Sequence, residues 1–146
     1  MMRPFFVYGT LRPGAYNHDR FLLGRTTREE PARLPGALLY EGPGYPYAVP
    51  DEHEGEIVGD LLTPAPGAYG ELLSVLDALE EYFGPGHPLN LYERAEREVV
   101  RVADGARVPA WVYFAAPGTP LGTPITGGDW LRREAVPQSP GAPRTP

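Results

Sequence analysis

Val7-Tyr8-Gly9-Thr10-Leu11-Arg12-Pro13-Gly14 is the stretch from which the rest of this chain can be read. The apolar run Phe5-Phe6-Val7-Tyr8 leads into it and reads as a short buried first strand. The strand breaks at Gly9 and continues as a polar turn closed by Pro13-Gly14. A strand end of this kind aims consecutive backbone N–H groups at one point, which makes an anion-binding nest. The simpler reading of the same residues is a tight β-turn. In the functional reading the amides hold a carboxylate or a developing oxyanion, where one preorganised donor is typically worth ~10²–10³ in the rate of acyl transfer. Thr10 adds a hydroxyl, and Arg12 is either a substrate clamp or a solvated cation.

The second informative segment lies further along, between Pro64-Ala65-Pro66-Gly67 and Gly84-Pro85-Gly86. These two clusters punctuate one amphipathic helix. With successive residues about 100° apart, Leu72, Leu76, Leu79 and Phe83 fall on one apolar stripe, with Leu73 at its edge. Glu80 falls at about 80° from Leu72, inside that stripe, and Glu81 at about 180°, on the solvent side. The spacing therefore predicts that two adjacent carboxylates are separated, Glu80 inward and Glu81 outward. An inward carboxylate needs a partner or a raised pKa. Two readings follow: an ion pair with an arginine such as Arg94 or Arg97 (or hydrogen bonds to loop amides), or a general base lifted towards working pH by apolar neighbours.

Composition narrows the chemistry. The chain has 146 residues and a formal net charge of −6. It is expected to form one α+β domain over residues 1–135, with a Pro/Gly-rich tail, 136–146, expected to be mobile. The acidic balance argues against nucleic acid or an anionic membrane as partner. No apolar run approaches the ~18 residues that span a bilayer, and Met1 to Val7 is too short for a signal peptide, so the expected location is cytoplasmic. There is no cysteine, which removes disulfides and thiol nucleophiles. All 13 basic residues are arginine, which removes Schiff-base chemistry and a Walker-type lysine. Ser74 and Ser139 are not in nucleophile-elbow contexts, and His18, His53 and His87 lack zinc-type spacing. What remains is a carboxylate, hydroxyls and backbone dipoles.

Outward from the loop, Asn17 to Leu23 reads as one or two helical turns capped by Asn17. Gly24 to Glu30 and Leu34 to Glu41 read as strands separated by Pro31 and by Pro35-Gly36. Tyr45 to Val49 is a short extended piece and Gly55 to Thr63 a further strand, with the acidic turn Asp51-Glu52-His53-Glu54 between them. Tyr92 to Val102 and Arg107 to Ala115 form a hairpin whose Asp104-Gly105 turn signals type I′. About six strands and one main helix predict a small mixed barrel or strongly curled sheet with the helix beside it.

Five pieces recur together in one family: Tyr8-Gly9-Thr10-Leu11, Tyr45-Pro46-x-Ala48-Val49, Leu76-Asp77-x-Leu79-Glu80, Leu91-Tyr92, and Ile125-x-x-Gly128-Asp129-Trp130. In their order and spacing, from Phe6 to about Trp130, the chain resembles the γ-glutamylcyclotransferase-like (AIG2-like) family. The resemblance implies a small barrel with flanking helices and Glu80 as general acid/base. It also implies a substrate cavity lined by the loop (Tyr8, Gly9, Thr10, Leu11 and Arg12) and by Tyr92, whose hydroxyl faces it. The implied reaction closes a γ-glutamyl amide into 5-oxoproline and releases an amine, a transferase- or lyase-type step that requires no metal or cofactor. The implied partner is a small γ-glutamyl compound, with neither nucleic acid nor membrane, and the chain would be a monomer or weak homodimer. The alternative is a non-catalytic small-molecule binding protein that retains the cavity. Two residues depart from the family pattern: Thr10 stands where serine is usual, and Glu81 stands where glycine is usual.

Overall fold

The order of elements follows the hydrophobic punctuation of the chain closely. The computed structural model describes residues 3–51 and 55–133. Seven strands are β1 (Phe5–Val7), β2 (Thr26–Pro35), β3 (Ala37–Glu41), β4 (Pro46–Pro50), β5 (Glu56–Pro64), β6 (Tyr92–Arg101) and β7 (Arg107–Ala115). Two helices are α1 (His18–Leu22) and α2 (Tyr69–Leu79), and a 3₁₀ turn covers Trp130–Arg132. No helix among the described residues is long and apolar enough to cross a membrane. The expected tail, 136–146, and most of the acidic turn, 52–54, lie outside the described residues.

Five strands close into a barrel in the order β1-β5-β2-β6-β7, and β3 and β4 form a separate antiparallel pair. All barrel pairings are antiparallel except the closing one, where β1 meets β7 in parallel at Phe5 and Trp111. The chain is thus the mixed barrel with one main helix that the residues imply. Side chains alternate across a strand, and β1 is buried on both faces. Phe6 and Tyr8 belong to a cluster with Leu34, Ile57, Leu61, Val99, Val112 and Phe114. Phe5 and Val7 belong to a second cluster with Leu62, Leu72, Leu76 and Tyr92. That two-sided burial is why β1 reads as an unbroken apolar run rather than as alternating polar and apolar residues.

The second cluster seats α2 on the outside of the barrel. Leu72 and Leu76 are fully buried there. The Trp111 indole N–H donates to the Tyr69 hydroxyl at 2.9 Å, fixing the start of the helix to β7. Near the other end, the Tyr113 hydroxyl donates to Asp77 at 2.6 Å and Arg94 donates to the same carboxylate oxygen at 2.9 Å. Pinned at both ends, α2 delivers its C-terminus beside the segment that follows β1.

The structure departs from the sequence expectation at four points. Pro31 does not break a strand: β2 runs through it, paired with β5 along its length. Pairing of β2 with β6 begins only at Ala32, so the missing Pro31 N–H leaves no gap in that ladder, and its carbonyl accepts from Val102 instead. The β6–β7 turn sits at Asp104-Gly105, but only Gly105 has a left-handed φ, of 71°. It is therefore not type I′, which needs both central residues left-handed; Gly105 N–H bonds Arg101 O across a longer loop. Asn17 stands at the N-cap of α1, as read, but its side chain makes no capping bond. Finally α2 stops at Leu79, so Phe83 leaves the apolar stripe and is 58% exposed.

Candidate active site

The end of α2 decides where the two carboxylates go. Tyr82 N–H bonds Asp77 O at 2.8 Å and Glu81 N–H bonds Ala78 O at 3.2 Å, the paired bonds of a Schellman motif. Glu80 is the residue at which the helix ends, and Glu81 takes the left-handed position, φ 51°, that glycine usually fills. Glu81 O accepts from Leu91 N–H, which holds the turn against the chain leading into β6. Glu80 is half-buried and Glu81 exposed, as the helical spacing implies, but the cause is this turn rather than a continuing helix.

Glu80 opens onto a cavity of about 220 Å³. Phe6 to Leu11 line one side of it, Tyr45, Pro46, Tyr92 and Tyr113 another, and Leu79, Glu80, Glu81 and Leu91 a third, with Tyr16 and Asn17 between. Burial pushes the Glu80 carboxyl from an ordinary 4.5 up to about 7. Among the described residues no arginine pairs with it. Arg94 is held by Asp77 and lies over Trp111 at 4.3 Å, and Arg97 lies over Phe114 at 5.1 Å. The ion-pair reading of Glu80 is thereby removed. Its position beside the negative end of the helix dipole further disfavours the anion.

The loop after β1 folds back on itself through Arg12 N–H to Gly9 O at 3.1 Å and Asn17 N–H to Thr10 O at 3.0 Å. The N–H groups of Gly9, Thr10 and Leu11 have no hydrogen-bond partner among the described residues, and all three residues line the cavity. Gly9 is required by close approach: a Cβ there would lie 2.8 Å from Pro46 Cδ. The donor set of the nest reading is thus present on one wall, with Glu80 on another.

Tyrosines form much of the rest. Tyr8 donates its hydroxyl to the Tyr113 carbonyl, and Tyr92 donates to Pro46 O at 2.8 Å. Burial holds the Tyr8, Tyr92 and Tyr113 phenols well above their ordinary range, with a further contribution from the Glu80 charge at Tyr8 and Tyr92 and chiefly from Asp77 at Tyr113. All three stay neutral, and no neighbouring cation lowers the Glu80 carboxyl. Tyr45, pushed up to about 12 by burial, carries the same influence from both Glu81 and Glu80.

Of the residues singled out from sequence, Tyr8, Gly9, Thr10, Leu11, Glu80 and Tyr92 meet around this cavity, and Arg12 does not. Arg12 Nε donates to Asp60 and Nη1 to Asp129, each at 2.8 Å, so it is neither solvated nor directed at a ligand. It braces the loop against β5 and the segment before the 3₁₀ turn. Among the wall residues not foreseen are Asn17, Tyr113, Tyr45 and Tyr16. Asn17, read as a cap, donates from Nδ2 to Thr10 Oγ1 at 2.9 Å, which leaves the Thr10 O–H free to donate elsewhere. Tyr113 lies in a segment correctly read as extended, where strand alternation would have placed it opposite Val112 and Phe114, whereas Tyr45 stands in the bend just before β4. Among the described residues no group of three or more His, Asp or Glu side chains is placed to hold a metal ion.

Comparisons with known proteins agree with this fold. Residues 5–132 match the family model described as γ-glutamyl cyclotransferase, AIG2-like. A relative named γ-L-glutamyl-butirosin B γ-glutamyl cyclotransferase, from Niallia circulans, is 35% identical over 112 residues. That match covers 77% of this chain and 66% of the relative, so the chain spans just under two thirds of its length. A solution structure from Arabidopsis thaliana superposes with a TM-score of 0.60 at 29% identity, covering 81% of this chain and 71% of the other. The crystal structure of an AIG2-like protein from Mus musculus gives a TM-score of 0.64 over 92% of this chain and 86% of that one. At 21% identity this last likeness speaks for the fold alone.

Proposed function

The chain belongs to the γ-glutamyl cyclotransferase, AIG2-like family, and we propose that it is itself a cyclotransferase that converts a γ-glutamyl amide into 5-oxoproline and a free amine, with Glu80 as general acid/base. The observation that carries this reading is that Glu80, which has no ion pair among the described residues, and Gly9, Thr10 and Leu11, whose amides have no partner among them, line one cavity of about 220 Å³. A binding protein that merely kept the cavity could use the carboxylate to hold the α-ammonium, but it has no need of a carboxyl poised near 7 to pass protons on.

The chemistry needs little from the protein. In a γ-glutamyl amide the α-nitrogen and the γ-carbonyl carbon are placed to close a five-membered ring. Holding the chain folded makes the attack an oriented intramolecular step. The α-nitrogen enters as an ammonium and ends as the lactam N–H, so two protons pass to the leaving nitrogen, which departs as an ammonium. Glu80, with its carboxyl near pH 7, accepts a proton from the α-nitrogen and gives it to the leaving nitrogen as the C–N bond breaks. A group poised at working pH does both tasks well. The amides of Gly9 to Leu11, with the Thr10 hydroxyl, bind the α-carboxylate or the developing oxyanion. Tyr8, Tyr92 and Tyr113 stay protonated and wall the reaction off.

The experiment is a panel of γ-glutamyl compounds (peptides, isopeptides and simple amides) assayed for 5-oxoproline. At least one member is expected to release 5-oxoproline in proportion to enzyme. Tight binding of panel members with no 5-oxoproline from any would replace the enzyme with the binding protein.

A further inference from the structure

Glu81 is the one non-glycine residue with positive φ among the described residues, at 51°. In that backbone conformation L side chains are disfavoured and glycine is at ease. The turn geometry asks for glycine, so the carboxylate is retained at a cost in stability. Strained positions of this kind concentrate at functional sites. Glu81 lines the cavity at its exposed side. No ion pair within 4 Å engages it among the described residues. Among the described residues no arginine or histidine lines the cavity either, and the charged side chains that do are Glu80 and Glu81.

The cavity's open side sets what meets that charge. The glutamyl group sits between the loop amides and Glu80 in a cavity of about 220 Å³, and Glu81 lines the side that opens to solvent. The amine half of the substrate must therefore project past the exposed residues. These are Glu81 and Tyr16, at 69% exposure, with the partly buried Tyr45 beside them. A carboxylate beside two phenol rings is an environment for an ammonium group, by ion pairing and by cation–π attraction. A carboxylate on the leaving group finds no cation among the described residues that line the cavity.

We propose that Glu81 makes this protein selective for γ-glutamyl amides whose amine half carries a further positive charge, and that it discriminates against amino acid or peptide leaving groups bearing a carboxylate. This rests on the cyclotransferase reading of the same cavity. The selective element is one this chain has in place of the residue its backbone geometry calls for.

Three amides of nearly equal length separate charge from shape: those of butane-1,4-diamine, n-butylamine and 4-aminobutanoate. The expected order of kcat/KM is cationic over neutral over anionic. Each step is about fivefold, the size of an exposed ion-pair contribution, and the steps shrink as salt is raised. Glu81→Gly suits the backbone and is expected to fold at least as well, while Glu81→Gln keeps the side-chain length. In both variants the three values should converge to within about twofold. An equal or reversed order in the native chain, or an order that survives both variants, overturns the proposal. If no amide yields 5-oxoproline, the cyclotransferase reading falls instead. The affinities of the same three compounds for the native chain and the two variants, measured calorimetrically, then decide the selectivity by the same order.

Discussion

Glu80→Gln is expected to lower 5-oxoproline formation by about 10²-fold or more while the protein stays folded. Glutamine keeps the size and hydrogen-bonding capacity of the side chain but cannot take the proton from the α-nitrogen. Stability should move the opposite way from activity, and the sign follows from the shift. The carboxyl is raised from 4.5 to about 7 in the folded chain, so the neutral acid is the form the fold favours. That favourable contribution is complete below about pH 4.5 and is lost as pH rises through 7. At pH 8 the native protein holds a poorly solvated anion that the variant lacks. The Glu80→Gln midpoint should therefore exceed the native one at pH 8, and the two should converge near pH 4. A variant that is both inactive and destabilised at pH 8 would mark Glu80 as a structural partner rather than a base.

Arg12→Ala is expected to be the most destabilising single change in the loop, by about 3 kcal/mol in urea unfolding. Arg12 meets Asp60 and Asp129 at 2.8 Å each, and its side chain is 12% exposed. Removing it leaves Asp60, which is 8% exposed, without its counterion and close to a second carboxylate. Arg12→Lys should recover part of the loss only, because one ammonium cannot reproduce the forked geometry that spans both carboxylates. The same change frees the loop that carries the Gly9 to Leu11 amides, so KM should rise in whatever folded protein remains. A loss below about 1 kcal/mol, typical of an exposed pair, would return Arg12 to the role of a solvated cation.

These two residues mark what could be read from the chain and what could not. Glu80 was legible because a helix has a period, and a carboxylate placed inside an apolar stripe is conspicuous. Its division from Glu81 came out in the right direction, through a turn that periodicity does not describe. Helix termination by a glutamate in a left-handed position runs against local preference, so sequence carries no signal for it. Phe83 was misplaced for the same reason. β1 was legible because both its faces are buried and all its residues are apolar. Arg12 was not, because its partners stand 48 and 117 residues away. Barrel closure is equally non-local, since it joins β1 to β7 through Phe5 and Trp111. Asn17 illustrates a subtler limit. Its residue type suits both a helix cap and a loop brace, and only the fold, by bringing Thr10 within 2.9 Å, decides for the brace.

The central claim is that a carboxyl lifted by burial carries protons between the two nitrogens of a γ-glutamyl amide. The pH dependence of kcat/KM for 5-oxoproline release, followed on a single amide from pH 5 to 9, tests it most directly. On the acid side the rate should climb with pH and bend at an apparent pKa close to 7, the value burial gives Glu80. That bend should be missing from the residual activity of Glu80→Gln. A bend at the ordinary carboxyl value near 4.5, or one near 7 that persists in Glu80→Gln, would contradict the account.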